Sequence, residues 1–153
     1  MSKILIVDDE ADIRQIIRYN LEKDGFQVFE AKDGNEAVQM AKQFNPDLIV
    51  LDIMMPDKDG IEVCEEIRSI SGLEDTIICF LTARNEDYSQ IAGLESGGDD
   101  YITKPIKPKI LIARIRALLR RGVNKPKIQV TSKELYVDLD KYVIMKNGSP
   151  VQL

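Results

Sequence analysis

Three aspartates follow two apolar runs of the sequence at the point where each run ends. Asp8 and Asp9 follow residues 4–7, and Asp52 follows residues 48–51. Each run is typical of a buried strand, and ligands bind at the carboxyl ends of the strands in an open parallel sheet. Three carboxylates that meet there repel one another unless a cation joins them. Mg²⁺ suits such a site, because it takes few carboxylates and keeps water positions for a phosphoryl group.

A threonine and a lysine are placed in the same way. Thr82 follows the run of residues 78–81, and Lys104 follows residues 100–103. We expect both side chains at the same sheet edge as the three aspartates. The five groups together suit phosphoryl transfer to a carboxylate. One aspartate would be the nucleophile, a cation would neutralise charge, and the ammonium and hydroxyl groups would bind the remaining phosphoryl oxygens.

Strand-like and helix-like patterns alternate five times along the sequence, which predicts an α/β fold with a parallel sheet. The predicted strands span residues 3–7, 27–31, 47–51, 77–81 and 100–103, and the predicted helices span 11–24, 34–44, 60–70, 86–96 and 107–121. Two helices carry apolar stripes that we expect to pack on the sheet. These are Ile13, Ile16, Ile17 and Leu21 in the first helix, and Leu111, Ile115 and Leu118 in the fifth.

The composition is that of an ordinary globular protein, and it limits the reaction mechanisms that the chain's own side chains could support. Of 153 residues, 44% are apolar and 31% are charged. There is no histidine, so any imidazole base, nucleophile or ligand must come from a partner. Cys64 and Cys79 match no metal or redox spacing. No apolar run is long enough for a membrane span, and residues 1–3 lead into a strand without a signal peptide, so we expect a cytoplasmic protein.

The character of the sequence changes in its last part. Residues 1–121 carry a net charge of −7 and residues 122–153 a net charge of +2. Glycine and proline in residues 122–126 predict a linker, and the Asn-Gly pair at 147–148 predicts a hairpin turn. We interpret residues 127–153 as the β-hairpin start of a truncated second domain, after a first domain of residues 1–121. The alternative is a complete chain with a β-hairpin tail.

In their order and spacing, these features resemble the receiver domain of a two-component response regulator. Each motif is weak alone, but the ordered set over residues 3–121 is specific. The motifs are Val7-Asp8-Asp9-Glu10, Leu51-Asp52-Ile53-Met54-Met55-Pro56, Gly60, Leu81-Thr82-Ala83, Gly97-Gly98-Asp99-Asp100-Tyr101 and Thr103-Lys104-Pro105. The resemblance implies a doubly wound, flavodoxin-like sheet of five parallel strands in the order 2-1-3-4-5, followed here by a β-rich C-terminal tail.

The resemblance also implies roles for the residues at the sheet edge. Asp52 would accept a phosphoryl group from a partner sensor histidine kinase. Asp9 and Asp52 would bind Mg²⁺ directly, together with the backbone carbonyl of Met54, and Asp8 would contribute through water. Lys104 would contact the phosphoryl group and Asp52. We therefore expect a signalling phosphoacceptor rather than an enzyme, with weak autophosphorylation from small phosphodonors and slow autodephosphorylation.

A switch is implied by the same resemblance. Lys104 and Pro105 would be joined by a cis peptide bond that positions the lysine. On phosphorylation the Thr82 hydroxyl would move toward the phosphoryl group and Tyr101 would swing inward, which shifts the fourth helix. Simpler roles stay open, since Thr82 could be only a strand-end residue and Tyr101 only a core aromatic.

Several aspartates have structural alternatives. Asp9 or Asp12 could cap the first helix. Asp57 and Asp59 are predicted to be turn and capping residues of the third helix rather than additional metal ligands.

The match near the C-terminus and the β-rich tail resemble the subfamily whose output domain is a winged helix. Its members dimerise through the fourth helix, fifth strand and fifth helix, although a solvated basic face is the alternative for the arginines here. One ion pair of that interface is missing, because residues 90–92 and Ile110 replace its basic and acidic partners. DNA binding and transcription regulation would belong to a longer parent protein, with no role for a membrane. The residues predicted to form interface ion pairs are Asp99, Asp100, Arg114 and Arg121.

Two other classes share parts of this pattern. A Mg²⁺-dependent phosphohydrolase needs a second acid two residues after the nucleophile, where this chain has Met54. A flavin-binding module needs a phosphate-cradling loop after the first strand, where this chain has Asp8-Asp9-Glu10. By the resemblance, Met54 and Arg84 lie beside the site, and their bulk predicts slow hydrolysis of the acyl phosphate.

Overall fold

A computed structural model of the chain describes residues 2–83 and 87–124. In these residues, five strands alternate with five helices, as the sequence predicts. The strands are β1 (Lys3–Val7), β2 (Gln27–Ala31), β3 (Leu48–Asp52), β4 (Ile77–Thr82) and β5 (Asp100–Thr103). The helices are α1 (Ala11–Lys23), α2 (Gly34–Phe44), α3 (Gly60–Arg68), α4 (Asp87–Glu95) and α5 (Pro108–Asn124).

The described strands form one parallel sheet in the order β2-β1-β3-β4-β5. This confirms the predicted order 2-1-3-4-5. The strand order reverses between β1 and β3, so a crevice opens at the carboxyl ends of these two strands. Val7 pairs with Leu51 in the register of β1 and β3. The residues that follow them, Asp8, Asp9 and Asp52, are therefore brought together.

Buried side chains cover both faces of the sheet, as expected for parallel strands between helices. One cluster packs β1, β3 and β4 against α2 and α3, and a second packs the opposite face against α1 and α5. The predicted α5 stripe is confirmed, because Leu111, Ile115 and Leu118 are buried. The packing of the chain separates a compact unit, Met1–Gly122, from the residues after it.

One member of the predicted α1 stripe does not belong to the core. Ile17 and Leu21 are buried and Ile13 packs partly against them, whereas Ile16 is 47% exposed. Neighbouring residues of a helix point about 100° apart. Ile17 and Leu21 lie on the face of α1 that meets the sheet, and Ile16 lies at the edge of that face toward solvent, so the sequence prediction was wrong for this residue.

Helix α5 ends at Asn124, beyond the predicted end at residue 121. Helices usually stop at or before the residue that precedes a proline, and here that proline is Pro126. The rest of the predicted linker and the predicted β-rich tail, residues 127–153, lie outside the described residues. Within the described part of the chain, no helix has the length and apolar character needed to cross a membrane.

The start of α3 lies against the end of β3. The Gly60 amide donates to the Ile53 carbonyl at 2.9 Å, and a Cβ at Gly60 would lie 2.3 Å from the Asp52 carbonyl oxygen. Only glycine permits this approach. Asp59 and Glu62 form a capping box at the N-terminus of the helix, which confirms the capping role predicted for Asp59. Helix α3 thus fixes the backbone of Asp52.

Candidate functional site

Asp8, Asp9 and Asp52 meet in the crevice between β1 and β3. One carboxylate oxygen from each lies within 4.8 Å of the other two. Asp8 and Asp52 are buried, with exposures of 0% and 2%, and Asp9 is exposed. Among the residues that the structure describes, this is the one acidic cluster with the spacing of a metal site, and it includes neither Asp57 nor Asp59.

The Asp8 carboxylate is satisfied on one side only. Its Oδ1 accepts a hydrogen bond from the Glu10 amide at 2.9 Å. Its Oδ2 is buried and has no hydrogen-bond partner among the described atoms. The N-cap of α1 is Glu10, so neither Asp9 nor Asp12 takes the capping position that the sequence left open. A buried oxygen without a hydrogen bond is costly, and a hard cation would add to the ion pair that Lys104 makes with this oxygen.

Lys104 brings a positive charge to the two buried carboxylates. Its Nζ lies 3.3 Å from Asp8 Oδ2, without the geometry of a hydrogen bond, and 3.6 Å from Asp52 Oδ1. The backbone sets this position, because the Lys104 amide donates to the Thr82 carbonyl at 2.7 Å. The peptide bond between Lys104 and Pro105 is cis, as predicted. The lysine thus contacts Asp52 as the resemblance implies.

The pKa values of the two buried aspartates show that burial disfavours their ionised forms. Burial, followed by the charge of Asp8, raises the pKa of Asp52 to about 7, against the lowering effect of Lys104. Burial also raises the pKa of Asp8. Burial alone would lower the pKa of Lys104, but the charges of Asp52 and Asp8 outweigh it and raise that pKa.

The donor set fits Mg²⁺. It offers carboxylate oxygens only, two of the three groups are buried, and one buried oxygen is unsatisfied. Hard cations prefer such ligands, and a bound cation would favour the ionised form of both buried aspartates.

The two predicted switch residues lie on β4 and β5. Thr82 is buried, and its Oγ1 accepts a hydrogen bond from Gln90 Nε2 of α4 at 3.2 Å. Tyr101 is half-buried and packs against the cluster that joins the sheet to α2 and α3. Sequence reasoning missed Gln90, because a glutamine on a short helix gives no sign of which side chain it will reach.

Three of the four predicted interface residues have partners within the same chain. Arg114 Nη1 lies 3.2 Å from Asp100 Oδ1 and donates to the Tyr101 carbonyl. Asp99 Oδ2 accepts from the Ile78 amide at 2.8 Å and lies 3.1 Å from Arg68 Nη2. Arg121 is exposed on α5.

Met54 and Arg84 are the two residues that the resemblance places beside the site. The side chain of Met54 is exposed, while its amide donates to Asp52 Oδ1 at 3.2 Å. Arg84 lies outside the described residues. The predicted effect of these two side chains on hydrolysis therefore stays a prediction.

A basic residue that the sequence did not single out contacts the acidic turn. Arg14 Nη1 donates to the Asp8 carbonyl at 2.7 Å, and its Nε donates to Glu30 of β2 at 3.0 Å. Its position on α1, six residues after Asp8, offers no sequence signal, because the contact depends on where β2 places Glu30.

A doubly wound parallel sheet with an acidic cluster and a lysine at its carboxyl edge defines a flavodoxin-like protein with a candidate metal site. Residues 4–116 match the response regulator receiver domain. The chain belongs to this family. Receiver domains are phosphoacceptors rather than true enzymes, they bind Mg²⁺ at an acidic pocket, and they imply a histidine kinase as partner.

Solved structures agree with this assignment. A two-component response regulator from Clostridium difficile is 38% identical, with a TM-score of 0.73 over 79% of this chain and 98% of that chain. Chemotaxis protein CheY4 of Vibrio cholerae is 31% identical, with a TM-score of 0.74 over 77% and 98%. The signal receiver domain of a signal transduction histidine kinase from Syntrophus aciditrophicus is 31% identical, with a TM-score of 0.74 over 88% and 100%.

Proposed function

We propose that this chain accepts a phosphoryl group on Asp52 from a partner sensor histidine kinase. Mg²⁺ would be bound by Asp8, Asp9, Asp52 and the backbone carbonyl of Met54. One observation carries the proposal: three carboxylates converge within 4.8 Å beside Lys104, with a buried Asp8 oxygen left unsatisfied.

In the proposed reaction, an oxygen of the Asp52 carboxylate attacks phosphorus. The bond between phosphorus and the donor's imidazole nitrogen breaks, and its electron pair stays on the imidazole. The chain has no histidine, so the donor is a separate molecule or domain. Lys104 lowers the pKa of Asp52 against the effect of burial, and it lies close enough to meet an incoming phosphoryl oxygen. When bound, Mg²⁺ supplies charge neutralisation for the remaining phosphoryl oxygens.

The response to phosphorylation would begin at Thr82. Its hydroxyl would leave Gln90 and bind the phosphoryl group, while Tyr101 moves inward. Two observations support this: the hydroxyl has a partner on α4, the element expected to shift, and Tyr101 is only half-buried on the neighbouring strand.

The same proposal includes a homodimer through the face formed by α4, β5 and α5. Large apolar side chains are exposed on its two helices, with Ile91 at 58% and Ile110 at 47%. They occupy the region where the subfamily has an ion pair, so an apolar contact would replace it. The ion pair of Asp100 with Arg114, which lies within one chain, would exchange partners in the dimer. Light scattering after phosphorylation tests this, and an unchanged monomer mass would contradict it.

We further propose that the chain belongs to the winged-helix subfamily, on the match over Tyr101–Arg121 and the β-like sequence pattern of residues 127–153. The parent protein would then regulate transcription in the cytoplasm, and DNA binding would belong to its output domain.

Intact mass after incubation with acetyl phosphate tests the central reaction. We expect the wild-type chain to gain one phosphoryl group with Mg²⁺ and none without it. Asp52→Asn should gain none, while Asp75→Asn, at an exposed aspartate before β4, should behave as wild type. A folded wild-type chain that gains nothing under any condition would overturn the proposal and indicate a receiver that acts without phosphorylation.

A further inference from the structure

Arg14 joins the acidic turn to the neighbouring strand β2. Its Nη1 donates to the backbone carbonyl of Asp8 at 2.7 Å, and its Nε donates to Glu30 Oε1 at 3.0 Å. The other oxygen of Glu30 accepts from Arg18 Nη1 at 2.7 Å. Glu30 is thus engaged through both oxygens, and the Arg14 guanidinium has little freedom to leave the Asp8 carbonyl.

The contacted carbonyl belongs to the peptide that joins Asp8 to Asp9. The orientation of this peptide sets the directions in which the two side chains leave the backbone. Neighbouring side chains of a strand point to opposite faces of the sheet, so Asp8 and Asp9 would otherwise diverge at the strand end. The carboxylates nevertheless lie within 4.8 Å of each other and of Asp52.

We propose that Arg14 is a positioning residue of the metal site. It fixes the peptide between Asp8 and Asp9 so that both carboxylates can reach one Mg²⁺ ion, and Glu30 holds Arg14 in place. This inference rests on the proposed function, because it assigns a task to residues outside the ligand set. Residues that orient the metal ligands without binding the metal typically change metal affinity by about 10- to 100-fold when they are removed.

A structural role alone would have a different signature. Arg14 and Glu30 also tie α1 to β2, and their side chains are mostly buried, with exposures of 17% and 25%. If this were their whole task, the loss of either would lower the free energy of unfolding and leave the Mg²⁺ affinity of the folded protein unchanged.

The test is calorimetric titration of the full chain with MgCl₂, without a phosphodonor. We expect Arg14→Gln to weaken Mg²⁺ binding about tenfold. Arg14→Lys should recover most of the affinity, because an ammonium can still donate to the Asp8 carbonyl. Arg18→Gln is the matched control: Arg18 shares Glu30 but has no contact with the Asp8 backbone in the described structure, so Mg²⁺ affinity should stay within about twofold.

Glu30→Gln provides a second route if Arg14→Gln does not fold. It should weaken Mg²⁺ binding by a smaller factor, and in a folded double variant it should add little to the effect of Arg14→Gln. A folded Arg14→Gln or Glu30→Gln protein with wild-type Mg²⁺ affinity would overturn the inference. Failure of the wild-type chain itself to bind Mg²⁺ would instead overturn the proposed function.

Discussion

The two sides of the sheet's carboxyl edge are built differently. On the β1–β3 side, charge and backbone contacts hold the acidic cluster. The side chain of Lys104, which extends from the end of β5, lies 3.3 Å from Asp8, and Arg14 donates to the Asp8 carbonyl. On the β4–β5 side, Thr82 has a single described side-chain hydrogen bond, to Gln90. We infer that the phosphoryl chemistry belongs to the constrained side and the conformational response to the weakly held side.

Loss of a metal ligand on the constrained side should have the largest effect on phosphorylation, because it removes a group that would bind Mg²⁺. We expect Asp9→Asn to slow Mg²⁺-dependent phosphorylation by acetyl phosphate at least about 100-fold, more than the loss of a residue behind the ligands. Asp9 is exposed, so the variant should fold. Asp12→Asn, at an exposed acid in the first turn of α1, is the control. Equal rates for the two variants would contradict a metal role for Asp9.

A second prediction concerns the stability of the metal-free protein. The pKa of Asp52 is raised to about 7, above its unfolded value near 3.8. The contribution of protonated Asp52 to the free energy of unfolding is therefore fully present below the unfolded pKa, and it is lost as pH rises from about 4 to 7. Asp52→Asn removes this loss, so at pH 7.5 in EDTA it should stabilise the chain by at most about 4 kcal/mol.

Urea unfolding in EDTA and in Mg²⁺ measures this effect. The advantage of Asp52→Asn should shrink as pH falls toward 4 and also when Mg²⁺ is added to the wild type. A destabilised Asp52→Asn variant at pH 7.5 would contradict the electrostatic account of the cluster.

On the weakly held side, Thr82→Val should leave phosphorylation largely intact and impair the conformational response to it. The change keeps the shape of the side chain and removes the hydroxyl. We expect phosphorylation within about threefold of wild type, but a large loss of the amide NMR shift changes that phosphorylation produces in α4 and at Tyr101. Thr103→Val, at an exposed site on β5, should leave both unchanged. A normal shift pattern in Thr82→Val would remove Thr82 from the switch.

The hydrogen bond from Gln90 should restrain the same switch. Its loss in Gln90→Ala should favour the responding state by about fivefold, the equivalent of one net hydrogen bond. Titration of NMR shifts against the phosphorylated fraction would measure this. Glu95→Ala, on the exposed surface of α4, is the control. A lower population of the responding state in Gln90→Ala would mean that Gln90 supports the switch instead.

The smallest effect is expected at the exposed ion pair between Arg114 and Asp100. Arg114→Gln should change the free energy of unfolding by only about 0.5 kcal/mol, as exposed ion pairs usually do. Denaturant titration checks the stability. Light scattering of the phosphorylated protein checks the dimer, and a lost dimer would show that Arg114 acts across the interface.

Short-range patterns predicted the sheet and the acidic cluster. Apolar runs located the strands, and parallel strands bring Asp8, Asp9, Asp52 and Lys104 to one edge, so their proximity follows from chain order alone. Contacts that depend on three-dimensional packing could not be predicted. Ile16 is apolar but points away from the stripe of Ile17, and the spacing alone could not decide between them.

The second group of contacts is longer in range or chemically ambiguous. Arg14 reaches Asp8 only because β2 carries Glu30 alongside. Gln90 reaches Thr82 because α4 packs over the end of β4. Gly60 was included in the resemblance, but the reason for a glycine there is the approach of α3 to the Asp52 carbonyl. Polar side chains of this kind have many possible partners, and only the fold selects one.

Chemical trapping of the phosphorylated residue tests the central claim most directly. Borohydride reduces the acyl phosphate of an aspartate to the alcohol of homoserine, which peptide sequencing by mass spectrometry can locate. After treatment with acetyl phosphate and Mg²⁺, we predict homoserine at position 52 alone, and none when Mg²⁺ is withheld. Homoserine at position 8 or 9, or none in a protein that has gained a phosphoryl group, would contradict the assignment of Asp52 as the phosphoacceptor.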